Sequence, residues 1–283
     1  MLKRIITAVT MIASVLPILI FSHMWIFPCA IAAISVMCLF EVLRCIGMHK
    51  RILMTLPLYI CALGFPILLR LINNDFLVAG IAIIAIIFYI AYTFTWTIFS
   101  HGKITYPEIC TLCLTSFYVI FAMNTILYVR DYKNYGKYVF ALILVAAWVT
   151  DTFAYFTGRL LGKHKLVPDV SPKKTIEGSI GGVIFCAIGF LVTGAIVDAV
   201  DPDISLNYIN YIYLAVSGVL MSIISQAGDL IMSVIKRHYG IKDFSNMLPG
   251  HGGMLDRMDS TLAVALGVEM LIMFTYLTGI SLF

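Results

Sequence analysis

The chain has 283 residues, 61% of them hydrophobic and 12% charged, with a formal net charge of +4 and a mean hydropathy of +0.99. That composition excludes an ordinary soluble domain and a disordered chain, and it points to a membrane protein. The short alternating segments of a membrane β-barrel are absent, and no soluble basic domain exists to hold nucleic acid.

Apolar runs long enough to span a bilayer fall at 5–22, 25–47, 52–69, 77–99, 110–129, 138–157, 178–197, 207–235 and 259–281. A spanning helix needs roughly 20 mostly apolar residues. Lys3 and Arg4 precede the first run, but no small-residue cleavage site follows, so it reads as an uncleaved span. The fold class is therefore all-α: a polytopic integral membrane helical bundle of about nine transmembrane helices with no sizeable soluble domain. With the N-terminus in the cytoplasm, fifteen of the nineteen Lys and Arg residues fall on the cytoplasmic side. Arg70, Arg130, Lys133 and Lys137 are left on the other. That orientation puts the charge-rich loops 158–177 and 236–258 on the cytoplasmic face, where they would meet anionic headgroups or a polyanionic substrate.

Residues 1–137 carry five spans with little intramembrane charge. Packing, oligomer contact and lipid exposure are their expected roles. Glu41 and Arg44, three apart, read as a local pair. Cys110 and Cys113 form a C-x-x-C without a second ligand pair, so the seven cysteines read as small apolar helix residues rather than a zinc site. Residues 138–283 differ and form the expected catalytic region. Asp151, Asp229 and Glu269 lie in or at the ends of spans, where a carboxylate at mid-helix costs about 2.5–3.5 kcal/mol. Three of them in one half predict a polar, water-accessible cavity.

Gly158 and Gly162 flank Arg159 and permit turns, and Pro168 and Pro172 keep the next stretch extended. Ser171-Pro172-Lys173-Lys174-Thr175 then leads into span seven, with Thr175 or Ser171 as a helix cap. Two lysines and hydroxyls before a helix N-terminus suit phosphate, although Lys173 and Lys174 could also serve only as topology determinants. In span eight, Ser222, Ser225, Asp229, Ser233, Lys236 and Arg237 recur at three- and four-residue steps and form a polar stripe. After Lys242, the glycines around His251 make a backbone able to wrap an anion, with Gly252 and Gly253 on its far side. Asp256 and Asp259 then share the face that opens span nine, where one of them, Asp259 the better candidate, could serve only the helix dipole.

Asp151, Asp229, Asp256 and Asp259 are hard oxygen donors of the kind that hold Mg2+ together with substrate phosphates. Lys173, Lys174, Lys236, Arg237, Lys242 and Arg257 supply positive charge for phosphates. Together they suggest metal-assisted phosphoryl or nucleotidyl transfer at a membrane surface.

The run Ser233-x-Ile235-Lys236-Arg237, then Lys242-Asp243-x-Ser245, then Leu248-Pro249-x-His251-Gly252-Gly253-Met254-x-Asp256-Arg257-Met258-Asp259 resembles the hallmark motif of the phosphatidate cytidylyltransferase (CDP-diacylglycerol synthase) family. The Ser171–Gly178 and Ser225–Asp229 segments resemble that family too, so the resemblance covers roughly the C-terminal half. It implies transfer of CMP from CTP to phosphatidic acid, giving CDP-diacylglycerol and pyrophosphate in phospholipid biosynthesis. It also implies Mg2+ with a monovalent cation such as K+ beside it, and a homodimer. The compact chain without extensions suits a bacterial inner membrane, with an organelle membrane as the alternative. Under the resemblance, Asp229 and Asp256 anchor the metal and act with Lys236 and Arg237 at the reaction centre. Ser171, Lys173, Lys174, Thr175, Ser233, Lys242, His251, Gly252, Gly253 and Arg257 serve the substrates. The cavity would be a funnel opening to the cytoplasm, with Asp229 and Asp256 reachable by water. A CTP-dependent polyprenol or phytol kinase and a membrane transporter are the alternatives.

Overall fold

Long apolar segments punctuated by short polar connections leave helices as the only structure able to satisfy their backbone in lipid. The computed structural model describes residues 17–72, 74–100, 104–132, 135–279 and 282. Eight described helices are long and apolar enough to cross a membrane. They are α1 (Ile26–Cys45), α2 (Ile52–Leu71), α3 (Asp75–Phe99), α4 (Tyr106–Asp131), α5 (Gly136–Leu161), α6 (Ile176–Val200), α7 (Tyr208–His238) and α8 (Leu255–Thr278). These match eight of the nine expected spans, and most of the first, at 5–22, lies outside the described residues. No sizeable soluble domain occurs among the described residues. The only named strands among the described residues form a small antiparallel pair, β1 (Lys165–Val167) and β2 (Ser171–Thr175).

The chain divides into two compact units, 1–127 with 241–256, and 128–240 with 257–283. The motif loop 241–256 therefore clusters with the N-terminal helices rather than with the 138–283 region to which its sequence position assigned it.

In the first unit, Leu39, Val42, Leu43, Leu58, Ala62 and Leu112 are fully buried. Tyr89 on α3 donates to the Met54 carbonyl of α2 at 3.0 Å, and its ring meets Phe117 of α4 edge-on at 5.7 Å. That gives a buried phenol both a partner for its hydroxyl and an apolar seat. Phe76, Ile83, Ile87, Phe88 and Ile98 of α3 are exposed, as suits a helix solvated by lipid.

In the second unit, α5, α6 and α7 pack through small residues, which let helix backbones approach closely. A Cβ at Gly178 would meet the Ala154 carbonyl at 2.6 Å, so α6 lies on α5 at a distance only glycine permits. Phe153 and Phe185 stack across the same pair at 4.0 Å. Asn207 starts α7 with a reciprocal capping box involving Asn210, which satisfies two otherwise orphaned helix donors.

Candidate active site

The stretch around Pro168 and Pro172 was expected to be extended; Lys165–Val167 and Ser171–Thr175 are extended strands, paired as the β1–β2 hairpin. Glu177 on the first turn of α6 clamps its base. Glu177 accepts from the backbone of Lys163 at 3.1 Å and His164 at 3.2 Å, and its carboxylate meets His164 Nδ1 at 2.7 Å. Thr175 caps α6 as expected, accepting from Gly178 N at 3.1 Å. That bond and its burial against Gly158 and Gly162 make Thr175 a structural cap.

Strand alternation sends neighbouring side chains of β2 to opposite faces, and so separates the two lysines. Lys173 is exposed. Lys174 turns inward, and its Nζ lies 2.6 Å from Asp229 Oδ2 of α7. The polar stripe of α7 faces the protein over most of its length. Ser222, Ser225, Ser233 and Lys236 are buried, and Asp229 keeps 27% of its side chain open. Arg237 departs from the stripe. It is exposed, and its Nε donates to the Val170 carbonyl of the hairpin turn at 3.3 Å.

The second unit gathers three carboxylates. Asp151 on α5 accepts from Ser260 Oγ of α8 at 3.2 Å. That hydroxyl also lies 3.4 Å from Asp259 Oδ1, which accepts from Ser260 N at 2.9 Å. Asp151 and Asp259 both sit within electrostatic reach of Asp229. Lys174 and Arg257 act on Asp151, and Lys236 acts on Asp259. Asp151 remains exposed although it lies well inside α5. Two further polar contacts brace this layer. Thr150 Oγ1 donates to Ser222 Oγ at 2.9 Å, and Gln226 Nε2 reaches the Ser179 carbonyl at 3.3 Å. Sequence reasoning gave no role to Ser260 and Thr150, which stand outside the polar stripe of span eight, and named Gln226 only within the Ser225–Asp229 resemblance.

In the first unit, the motif loop has a different organisation. Asp256 is buried, and its Oδ2 accepts from Phe244 N at 2.8 Å and Gly253 N at 2.9 Å. Asp256 was expected to be reachable by water; it is only 8% exposed, and the loop backbone engages its Oδ2. Gly253 is likewise not open to wrap an anion, since its amide serves Asp256. Gly250 and Gly252 both have positive φ and flank His251, and Leu248 N bonds the Gly252 carbonyl at 2.9 Å. His251 is half-buried, Gly252 is partly open, and Lys242 and Arg257 are exposed. Glu41, expected to pair with Arg44, instead accepts from Ser245 Oγ and from the backbone of Met254 at 2.9 Å and Leu255 at 2.7 Å.

Among the described residues, no group of three or more His, Cys, Asp or Glu is drawn together closely enough to hold a metal ion. The donor chemistry of Asp151, Asp229 and Asp259 nevertheless fits a hard divalent cation: all are oxygen ligands, and their mutual repulsion is what such an ion relieves.

The family model described as "Cytidylyltransferase family" matches residues 2–275. The chain belongs to the cytidylyltransferase family. It is 35% identical over 266 residues to a phosphatidate cytidylyltransferase of Bacillus subtilis (strain 168), covering 93% of this chain and 94% of the relative. It is 39% identical over 170 residues to one of Staphylococcus haemolyticus (strain JCSC1435), covering 60% and 61%. A Staphylococcus aureus (strain COL) counterpart is 37% identical over 170 residues, again covering 60% and 61%. Membership spans both units, including the N-terminal helices that the motif resemblance left out.

Proposed function

We propose that the protein is a CTP:phosphatidate cytidylyltransferase of phospholipid synthesis. An oxygen of the phosphatidate phosphate attacks the α-phosphorus of CTP and forms a P–O bond. The bond from the α-phosphorus to the α–β bridging oxygen breaks, and that oxygen leaves with pyrophosphate. The lipid phosphate is already an anionic nucleophile, so no serine, cysteine or histidine nucleophile is needed.

The observation that carries this reading is the intramembrane cluster of Asp151, Asp229 and Asp259 interleaved with Lys174 and Lys236. Charge of both signs inside apolar helices, with Asp151, Asp229 and Lys174 at least partly open and Asp259 and Lys236 buried, is costly unless a polar substrate or ion uses it. Asp151, Asp229 and Asp259 would hold Mg2+, which when bound supplies charge neutralisation for the triphosphate and the leaving pyrophosphate. Lys174 and Lys236 would attract and orient phosphate oxygens, and exposed Lys173, Lys242 and Arg257 would recruit CTP from the cytoplasm. Asp256 would act by fixing the motif loop. Basic-residue asymmetry and the bacterial relatives support a site facing the cytoplasm from a bacterial inner membrane.

The test is turnover by detergent-purified protein supplied with phosphatidic acid and either α- or γ-labelled CTP, with and without Mg2+. The expected result is label in lipid from the α position only, dependent on Mg2+ and reduced by at least about 100-fold in Asp259→Asn. Label entering a lipid alcohol from the γ position would replace this reading with a kinase.

A further inference from the structure

Glu41 is the most deeply placed acid of the first unit. It lies in the last two turns of α1, a helix with no other acid, and its side chain is completely buried. A carboxylate in such a place is stable only if its oxygens are fully served. Its three donors come from the motif loop more than two hundred residues away: Ser245 Oγ and Met254 N on Oε1, and Leu255 N on Oε2. Met254 and Leu255 stand at the start of α8, where backbone donors lack intrahelical partners. Glu41 therefore caps α8 from another helix. The fit is tight, since a Cβ on Gly253 would fall 2.6 Å from either Glu41 carboxylate oxygen.

Asp256 completes the arrangement from the other side, through Phe244 N and Gly253 N. The loop from Phe244 to Leu255 is thus tied at both ends by carboxylates, one from α1 and one from α8. His251, Gly250 and Gly252 lie on the stretch between those ties.

We infer that Glu41 is a positioning residue for cytidylyl transfer, holding the motif loop in its productive shape without touching substrate. The inference rests on the proposed function, in which Asp256 acts by fixing that loop and Lys242, just before it, recruits CTP. Glu41→Gln keeps size and shape but puts an NH2 group against a backbone or hydroxyl donor, and so breaks at least one tie.

The experiment compares wild type, Glu41→Gln, Ser245→Ala and the double variant by hydrogen exchange and by steady-state kinetics. In Glu41→Gln, exchange over 244–256 should rise by about tenfold or more, with α5–α7 unchanged. Its kcat should fall by about 10- to 100-fold, the scale of a misplaced reacting group, with KM for CTP within about twofold of wild type. Ser245 Oγ donates to Glu41 and also accepts from Met247 N at 3.1 Å, so the double variant should lose only that second, local contact beyond Glu41→Gln alone. Unchanged loop exchange, or kcat losses that multiply in the double variant, would overturn the inference. If Glu41→Gln does not fold, Ser245→Ala decides: faster exchange over the loop with reduced kcat supports the tie, and wild-type values for both refute it. Should the wild type transfer no cytidylyl group, the proposed function fails, while loop exchange still reports whether Glu41 holds the loop.

Discussion

Gly228 sits beside Asp229 on α7, where α7 meets α8. A Cβ placed there would lie 2.4 Å from the Cβ of Ala263 and 3.1 Å from the Asp259 carbonyl oxygen. Carbon atoms pack at about 3.5–4.0 Å, so Gly228→Ala must open the contact by more than about 1 Å. Overpacking of this kind costs about 1–3 kcal/mol. The gain in helix propensity returns up to about 1 kcal/mol, leaving a net loss of roughly 0–2 kcal/mol. The effect on catalysis should be larger. Asp229 and Asp259 ride on the two helices being pushed apart, and a displacement of about 1 Å can reduce turnover about 100-fold. The assay pairs cytidylyl transfer with thermal unfolding in detergent for Gly228→Ala, Ala263→Gly and the double variant. Removing the Ala263 methyl should restore most of the activity of Gly228→Ala, though not all, because the approach to the Asp259 carbonyl remains. Wild-type kcat in Gly228→Ala, or no rescue by Ala263→Gly, would refute the argument that this crossing sets the spacing of the carboxylates.

Thr175→Val keeps the shape of the side chain but removes the oxygen that Gly178 N donates to. Loss of an N-cap costs about 1 kcal/mol, so the thermal midpoint should fall by a few degrees with KM for CTP unchanged. A raised KM at an unchanged midpoint would instead make Thr175 a phosphate ligand. Asp201, just beyond α6, accepts from Tyr138 Oη at 2.6 Å and lies 3.6 Å from Lys137 Nζ. The tyrosine hydrogen bond, with the Asp203 amide and Lys137, holds its carboxyl below the ordinary range. Stability from a depressed carboxyl is present above the unfolded value of about 3.9 and is lost as pH falls through the lower folded value. The midpoint difference between wild type and Tyr138→Phe should therefore be largest near neutrality and shrink on acidification. A difference that stays constant from pH 7 to about pH 3 would contradict that linkage.

The spans were legible because length and hydropathy alone determine them, and Asp229 was legible because a carboxylate inside an apolar run is conspicuous. Which residue does what was less legible. Asp256 and Asp259 stand three apart on one helical face, and sequence spacing treats them alike. Asp256 turns back to hold Phe244 and Gly253, whereas Asp259 joins Ser260, Asp151 and the charge of Lys236. The helix-dipole role considered for Asp259 is thus the weaker description of it. Lys173 and Lys174 were equally indistinguishable, because Pro168 and Pro172 suggested an extended loop and hid the strand alternation that turns only Lys174 toward Asp229. Glu41 was passed over for a different reason. Its only local partner by spacing was Arg44, and its real partners are brought to it by the fold from the far end of the chain. A short motif concentrates the reacting groups where a reader can see them. The carboxylate that shapes the motif can lie in any helix the fold brings near, and its sequence signature is no more than one acid in an oily run.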